Sequence, residues 1–231
     1  MREWVKQGCS VRVIHYPSNF PWIVNAIAHL LRNFLGSKSG TEIRTWSLDE
    51  QEFEVDGVAV YRIPLKKNKP HGRYSERQIQ KAINKSLDYC KKESFKPDVI
   101  VSHWVNPSFE IMHRLKTYFN VPTCFIAHDT GHDLLGIYKK EAVEFVRDTE
   151  LFGFRSDSIR RCFLERFHCV DKKQFMCYSG IPSKYVEDIE RKVGDRNTLL
   201  FVDTLIERKY PVSMLPLLQM CFQKKISKLL I

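Results

Sequence analysis

Two short apolar runs, each closed by a histidine, constrain the fold of this chain more than anything else in it. The first is Pro97-Asp98-Val99-Ile100-Val101-Ser102-His103-Trp104; the second is Val121-Pro122-Thr123-Cys124-Phe125-Ile126-Ala127-His128-Asp129. Both carry proline near the start, both are too short for helices, and their apolar residues are consecutive rather than alternating. That pattern predicts strands covered on both faces, as in a parallel sheet. The stretch between them has the length of a helical crossover, so the two runs form a β-α-β unit. Their histidines stand at the carboxyl ends of the strands, the edge where open α/β sheets bind ligands.

The flanking sequence extends the same architecture. Ser10 to Tyr16 alternates like a strand, and Gly8 stands where the C-cap of a preceding helix belongs. A helical or loop segment runs on through Leu35, followed by a Gly/Ser/Lys-rich loop from Gly36 to Thr41. Phe53 to Ile63 reads as a hairpin turning at Asp56-Gly57. Ile79, Ile83, Leu87 and Cys90 recur at helical spacing within residues 75–93. Asn106 is placed to cap the crossover helix, with Pro107 at its first position. Beyond the second run come a loop from Gly131 to Tyr138 and helices near Lys140–Arg147 and Ser156–Arg166. A short strand covers Gln174 to Ser179, a charged stretch Ser183 to Asp195, a final strand Asn197 to Asp203, and a final helix Pro211 to Phe222.

Composition narrows the function classes. The chain has 231 residues, 43% of them hydrophobic, enough for a substantial core. No window reaches the apolar length of a membrane span, and residues 1–8 do not read as a signal peptide. Seven cysteines without a C-x-x-C pair read as reduced, mostly buried thiols. A cytoplasmic protein is expected, with contact to the inner face of a membrane as a further expectation. The net charge of +10 is first a lysine-rich solvated surface. Its sharper meaning is attraction to anions, with Lys66-Lys67-Asn68-Lys69-Pro70-His71-Gly72-Arg73 as a basic loop. No nucleic-acid-binding motif accompanies it, so nucleic acid is not expected as a partner.

Several motifs carry both an ordinary and a chemical meaning. His128-Asp129-Thr130-Gly131-His132-Asp133 has histidines four apart, but Asp-Thr-Gly after a strand argues for a loop, where helical metal-ligand spacing does not apply. A metal-dependent hydrolase built on His103, His128, Asp129 and His132 is one alternative. Ser156 is first an N-cap, although amides at that helix start also suit an anion. Arg208 and Lys209 follow a strand; together they suit a diphosphate, and alone such a pair is usually surface. A basic, non-enzymatic module for membrane or nucleic acid is the remaining alternative, motivated by the charge.

In order and spacing these segments resemble the GT-B glycosyltransferases of the family-4-like retaining type. Lys6 to Ile14 is similar to the entry of that family, Pro97 to Trp104 and Pro122 to Asp129 to its two histidine-bearing strands, Ser179-Gly180-Ile181 to its interdomain motif, and Phe201 to Lys209 to the opening of its donor domain. The resemblance implies a Rossmann-like, doubly wound, mainly parallel sheet in an acceptor-side domain over residues 1–180. It implies a linker over 181–196 and, over 197–231, one strand and one helix of a nucleotide-sugar domain. It further implies transfer of a sugar from a nucleotide-sugar to a polysaccharide or lipid-linked acceptor hydroxyl, in capsule- or lipopolysaccharide-type biosynthesis. His128 would then contact sugar, Arg208 and Lys209 the donor diphosphate, and His103, Asn106, Asp129, Lys66 and Lys67 the acceptor side. An anionic membrane surface is an implied partner, and neither a metal nor a cofactor is required. Asp203, Thr204 and Tyr210 depart from the family pattern in the donor-domain opening. The first strand and most of the donor domain are missing from the pattern, so the chain is expected to be incomplete at both ends and inactive alone.

Overall fold

A computed structural model describes residues 2–30, 47–67, 72–178, 198–200 and 228–230. The chain divides into two compact units, Met1–Pro21 with Trp46–Ser179, and Trp22–Thr45 with Gly180–Ile231.

The first unit opens with α1 (Arg2–Lys6). Gly8 follows at φ +86°, donating its N–H to Val5, as the capping glycine predicted from sequence. β1 (Arg12–His15) and β2 (Ser18–Asn19) come next. The apolar helix α2 (Trp22–Leu30) belongs to the second unit. β3 (Gln51–Val55) and β4 (Val58–Arg62) form the predicted antiparallel hairpin, with Asp56 and Gly57 both at positive φ in its turn. β1 pairs parallel with β4, giving the order β1-β4-β3, and β2 pairs parallel with β5 (Leu65–Lys66). The amphipathic α3 (Glu76–Lys92) buries Ile79, Ala82, Ile83, Tyr89 and Cys90, matching the spacing read from sequence.

The second sheet is four-stranded and wholly parallel, in the order β6 (Ile100–His103), β7 (Thr123–Ala127), β8 (Leu151–Phe154), β9 (Lys173–Met176). Its crossovers are α4 (Ser108–Phe119), then α5 (His132–Tyr138) with α6 (Glu141–Asp148), then α7 (Asp157–Phe167). Strand residues alternate between the faces of a sheet. Phe125, Ala127, Phe152 and Phe154 therefore share one face, and they meet Phe109 and Met112 of α4, Leu134 and Tyr138 of α5, Val146 of α6, and Phe163 and Phe167 of α7 in one buried cluster. The opposite face carries Cys124, Ile126 and Gly153. Ile126, Gly153 and Phe175 lie side by side in register. A Cβ on Gly153 would stand 2.4 Å from Ile126 Cδ1 and 2.9 Å from Phe175 Cζ, so glycine lets the two flanking side chains close over the strand. This is an α/β unit with a helix-flanked parallel sheet, consistent with a Rossmann-like fold.

Three expectations are corrected. Residues 132–138, expected as loop, are the helix α5, because Leu134 and Tyr138 bury one turn apart in the main core. The strand β8 went unrecognised, since Leu151-Phe152-Gly153-Phe154 is four residues long with a glycine inside it. Asn106 does not cap α4; the helix starts at Ser108, and the Asn106 amide instead donates to the Gly72 carbonyl at 2.9 Å. The cap predicted at Ser156 is present, its hydroxyl accepting from the Ile159 N–H at 3.2 Å. In the second unit β10 (Thr198–Leu200) pairs parallel with β11 (Lys228–Leu230). The loop at 36–41, the charged stretch at 183–195 and the helix at 211–222 lie outside the described residues.

An ion-pair network braces the helices. The Glu110 carboxylate, 2% exposed on α4, accepts from Arg73 at 3.0 and 3.1 Å and from Arg114 at 2.8 Å. Arg73 also bonds Glu141 of α6 and lies 5.0 Å from the Tyr138 ring centroid, while Arg114 reaches back to Glu76 of α3. Removing the central charge leaves two arginines facing a buried, neutral group. Each is about one-third exposed and keeps a second carboxylate, which reduces the cost. Glu110→Gln is expected to destabilise the chain by about 2 kcal/mol in urea unfolding. A change below about 0.5 kcal/mol would mean that the network is ornamental to stability.

Candidate functional site

The site is a consequence of strand parity. His103 ends β6 in register with Ile126 of β7, and Ile126 is in register with Gly153 of β8. Counting two residues onward, His128 and Arg155 fall on the same side of the sheet as Ile126 and Gly153, and so does His103. That is the side opposite the helix-packed aromatic core. Three adjacent parallel strands thus deliver His103, His128 and Arg155 together at their carboxyl edge.

The contacts bear this out. His103 Nδ1 and His128 Nε2 are 3.3 Å apart, so one ring N–H donates to the other ring's nitrogen. Trp104 stacks on His128 with centroids 4.3 Å apart and ring planes 12° from parallel. Its backbone takes a left-handed conformation, φ +69°, unusual for so bulky a residue, and its side chain stays 65% exposed. The result is an indole laid flat over an imidazole with its other face open to solvent. Burial, and then the charges of His128 and Arg155, holds His103 below the ordinary imidazole range. Burial and the Arg155 charge do the same to His128, against a weaker opposing pull from Asp129. Both rings are therefore neutral at neutral pH, able to donate from one nitrogen and accept at the other.

The remaining sequence-predicted residues divide between structural and peripheral places. Asp129 accepts the Gly131 N–H at 2.5 Å, closing the turn into α5. Gly131 itself, at φ +80° with the Phe167 ring against its Cα, is a position where a side chain does not fit. Asn106 keeps a buried Oδ1 with no partner among the described residues. Lys67, expected at the acceptor side, is buried, its ammonium 5.0 Å from the Tyr74 ring centroid and its pKa lowered by that burial. Lys66 is exposed. Arg73 is committed to Glu110 and Glu141 and so contributes little to a basic loop facing a membrane. Arg208 and Lys209 lie outside the described residues.

The four-residue metal set does not assemble: His103 and His128 touch, but Asp129 turns to its own loop, and His132 is the exposed first residue of α5. Among the described residues, no group of three or more His, Cys, Asp or Glu side chains is arranged to hold a metal ion. None of the described helices is long and apolar enough to cross a membrane. Two residues of the cluster escaped sequence reasoning. Trp104 was visible beside His103 but carried no role. Arg155 required β8 to be recognised first, after which parity alone places it with the histidines. No protein-family model matches the chain, and no curated protein matches it either.

Proposed function

We propose that the first unit is the acceptor-side domain of a GT-B glycosyltransferase of the retaining type, which moves a sugar from a nucleotide-sugar to an acceptor hydroxyl in polysaccharide or lipid-linked glycan synthesis. The observation that carries this reading is the His103–His128–Trp104 cluster at the carboxyl edge of adjacent parallel strands. An open indole face suits the apolar C–H face of a sugar ring, and neutral imidazoles suit its hydroxyls. In transfer the acceptor oxygen bonds to the anomeric carbon as the bond to the donor diphosphate breaks, and the departing diphosphate oxygen takes up the hydroxyl proton. Positioning and stabilisation of the departing diphosphate supply most of the rate. His128 holds a sugar hydroxyl in this scheme, and Arg208 and Lys209 receive the diphosphate charge.

Support comes from the parallel sheet, from the order of the sequence motifs and from the collapse of the metal set that motivated the hydrolase alternative. Saturation-transfer NMR with a panel of neutral and acidic mono- and disaccharides tests the reading. Ring protons of at least one saccharide are expected to take up saturation, and His128→Ala is expected to abolish it while the amide spectrum stays folded. A panel without a single binder would remove the carbohydrate reading.

A further inference from the structure

The acceptor-side proposal leaves Arg155 without a role. Arg155 is half-buried at the first position beyond β8, and its charge depresses the protonation of both His103 and His128. Among the described residues no carboxylate pairs with it and no hydrogen bond satisfies it. Other arginines are engaged: Arg73 and Arg114 each bind two carboxylates, Arg160 holds Asp157 at 2.8 Å, Arg12 lies 3.8 Å from Glu93, and Arg62 donates to the Asp49 carbonyl and the Gln51 amide oxygen. A half-buried guanidinium without a carboxylate partner keeps its forked N–H donors free for an anion. Strand parity places His103 and His128, two further potential cations, on the same side of the sheet edge, and the nearby Asp129 carboxylate is turned to the Gly131 N–H.

The helices add to the same field. α4 begins five residues after His103, and α7 begins two residues after Arg155, so both direct their positive N-terminal ends toward this edge of the sheet. Beside this positive corner stands Trp104, held in a left-handed backbone conformation with its ring stacked on His128 and its outer face open. A flat apolar platform and a guanidinium unpaired among the described residues thus stand at the same edge of the sheet, with His103 and His128 on the same side.

We propose that the site binds an acidic saccharide, with a sugar ring lying on Trp104 and its carboxylate or phosphate held by the forked guanidinium of Arg155. This rests on the carbohydrate reading above and adds the chemical class of the acceptor. Arginine offers a planar pair of N–H donors matched to either oxyanion, and His103 and His128 supply the hydroxyl contacts between ring and anion. A neutral sugar leaves the guanidinium unpaired and gains only the stacking.

The test follows the indole N–H resonance of Trp104, assigned by its loss in Trp104→Phe, during titration with four probes. These are methyl glucuronide, glucose 1-phosphate, the neutral methyl glucoside and inorganic phosphate. At least one of the two acidic sugars is expected to bind about tenfold or more tightly than the neutral glucoside, and which one decides between carboxylate and phosphate. Arg155→Gln is expected to reduce that affinity about tenfold, to the neutral level, while leaving the glucoside unchanged. Equal binding of neutral and acidic sugars, or full acidic affinity in Arg155→Gln, overturns this proposal and leaves the carbohydrate reading standing. Inorganic phosphate binding as tightly as glucose 1-phosphate, with no response to glucuronide, reduces the site to an ion pocket and also overturns it. Failure of every sugar to bind removes both.

Discussion

Phe163→Ala is expected to destabilise the chain by about 4 kcal/mol, with a fall in melting temperature of about 10 °C. Phe163 is 1% exposed on α7. Its ring lies 5.5 Å from Phe152, 5.6 Å from Phe154, 6.5 Å from Phe125 and 4.7 Å from Phe167, so it joins two strands of the parallel sheet to the helix that follows them. Truncation removes the transfer energy of the ring and leaves a cavity. The wall of that cavity is built from rigid aromatic side chains, which collapse poorly into a void. Aromatic pair geometry adds to the loss beyond buried area. Thermal melts followed by far-ultraviolet circular dichroism measure it. A loss under about 1 kcal/mol would show that the aromatic cluster repacks, and that the sheet does not depend on this contact.

The second large effect is a loss of about 3 kcal/mol of stability as pH falls from 6.5 to 4, caused by one histidine. His113 is 7% exposed on α4. Its ring stacks on Phe145 at 4.8 Å and meets the edge of Phe109 at 5.0 Å, and its Nε2 is 3.3 Å from the Thr149 hydroxyl. Burial pushes its pKa down from 6.5 to about 4, only partly offset by the Asp148 carboxylate. The unfolded chain therefore binds this proton below pH 6.5, whereas the folded chain refuses it until about pH 4. Stability is whole above pH 6.5 and drains away as pH drops through that window. His103 and His128, also lowered, contribute in the same direction. Urea unfolding at half-unit pH steps should give a slope that flattens in His113→Gln, whatever the variant's stability at neutral pH. An unchanged slope would assign the acid sensitivity elsewhere.

Much of this molecule is legible without coordinates where the signal is local. The hairpin turn at Asp56-Gly57, the glycine after α1, the Ser156 cap and the spacing along α3 are each decided within a few residues, by positive φ, by a side-chain oxygen or by helical periodicity. The two histidine-ended strands belong to the same class, since three or four consecutive apolar residues bounded by proline leave few other options. Where burial comes from distant residues, the local signal misleads. The Leu134–Tyr138 segment looks like loop until the aromatic cluster that receives it is known. β8 is too short to stand alone and is a strand because β7 and β9 flank it.

The candidate site shows the same division at finer grain. His103 and His128 were nominated by their position after strands, and their contact follows from the register of β6 and β7. Asp129 follows the second of these strands, Asn106 is the expected helix cap and Lys67 part of the basic loop, yet a turn amide takes the Asp129 carboxylate, a carbonyl the Asn106 amide N–H and a tyrosine ring the Lys67 ammonium. Residue type alone does not distinguish a ligand-facing group from one engaged within the fold, because contacts to the chain and to a ligand use the same atoms.

What the amino-acid order by itself determined is the alternation of strand and helix and the placing of two histidines at strand ends, because both depend on interactions within a few residues. Only the tertiary structure decided which polar groups are left over. It consumes the charges of Arg73, Glu110 and Lys67 in packing and leaves Arg155 unpaired among the described residues beside the Trp104–His128 stack. That remainder depends on strand register and on long-range pairing across the sheet, neither of which is encoded in any short stretch of sequence.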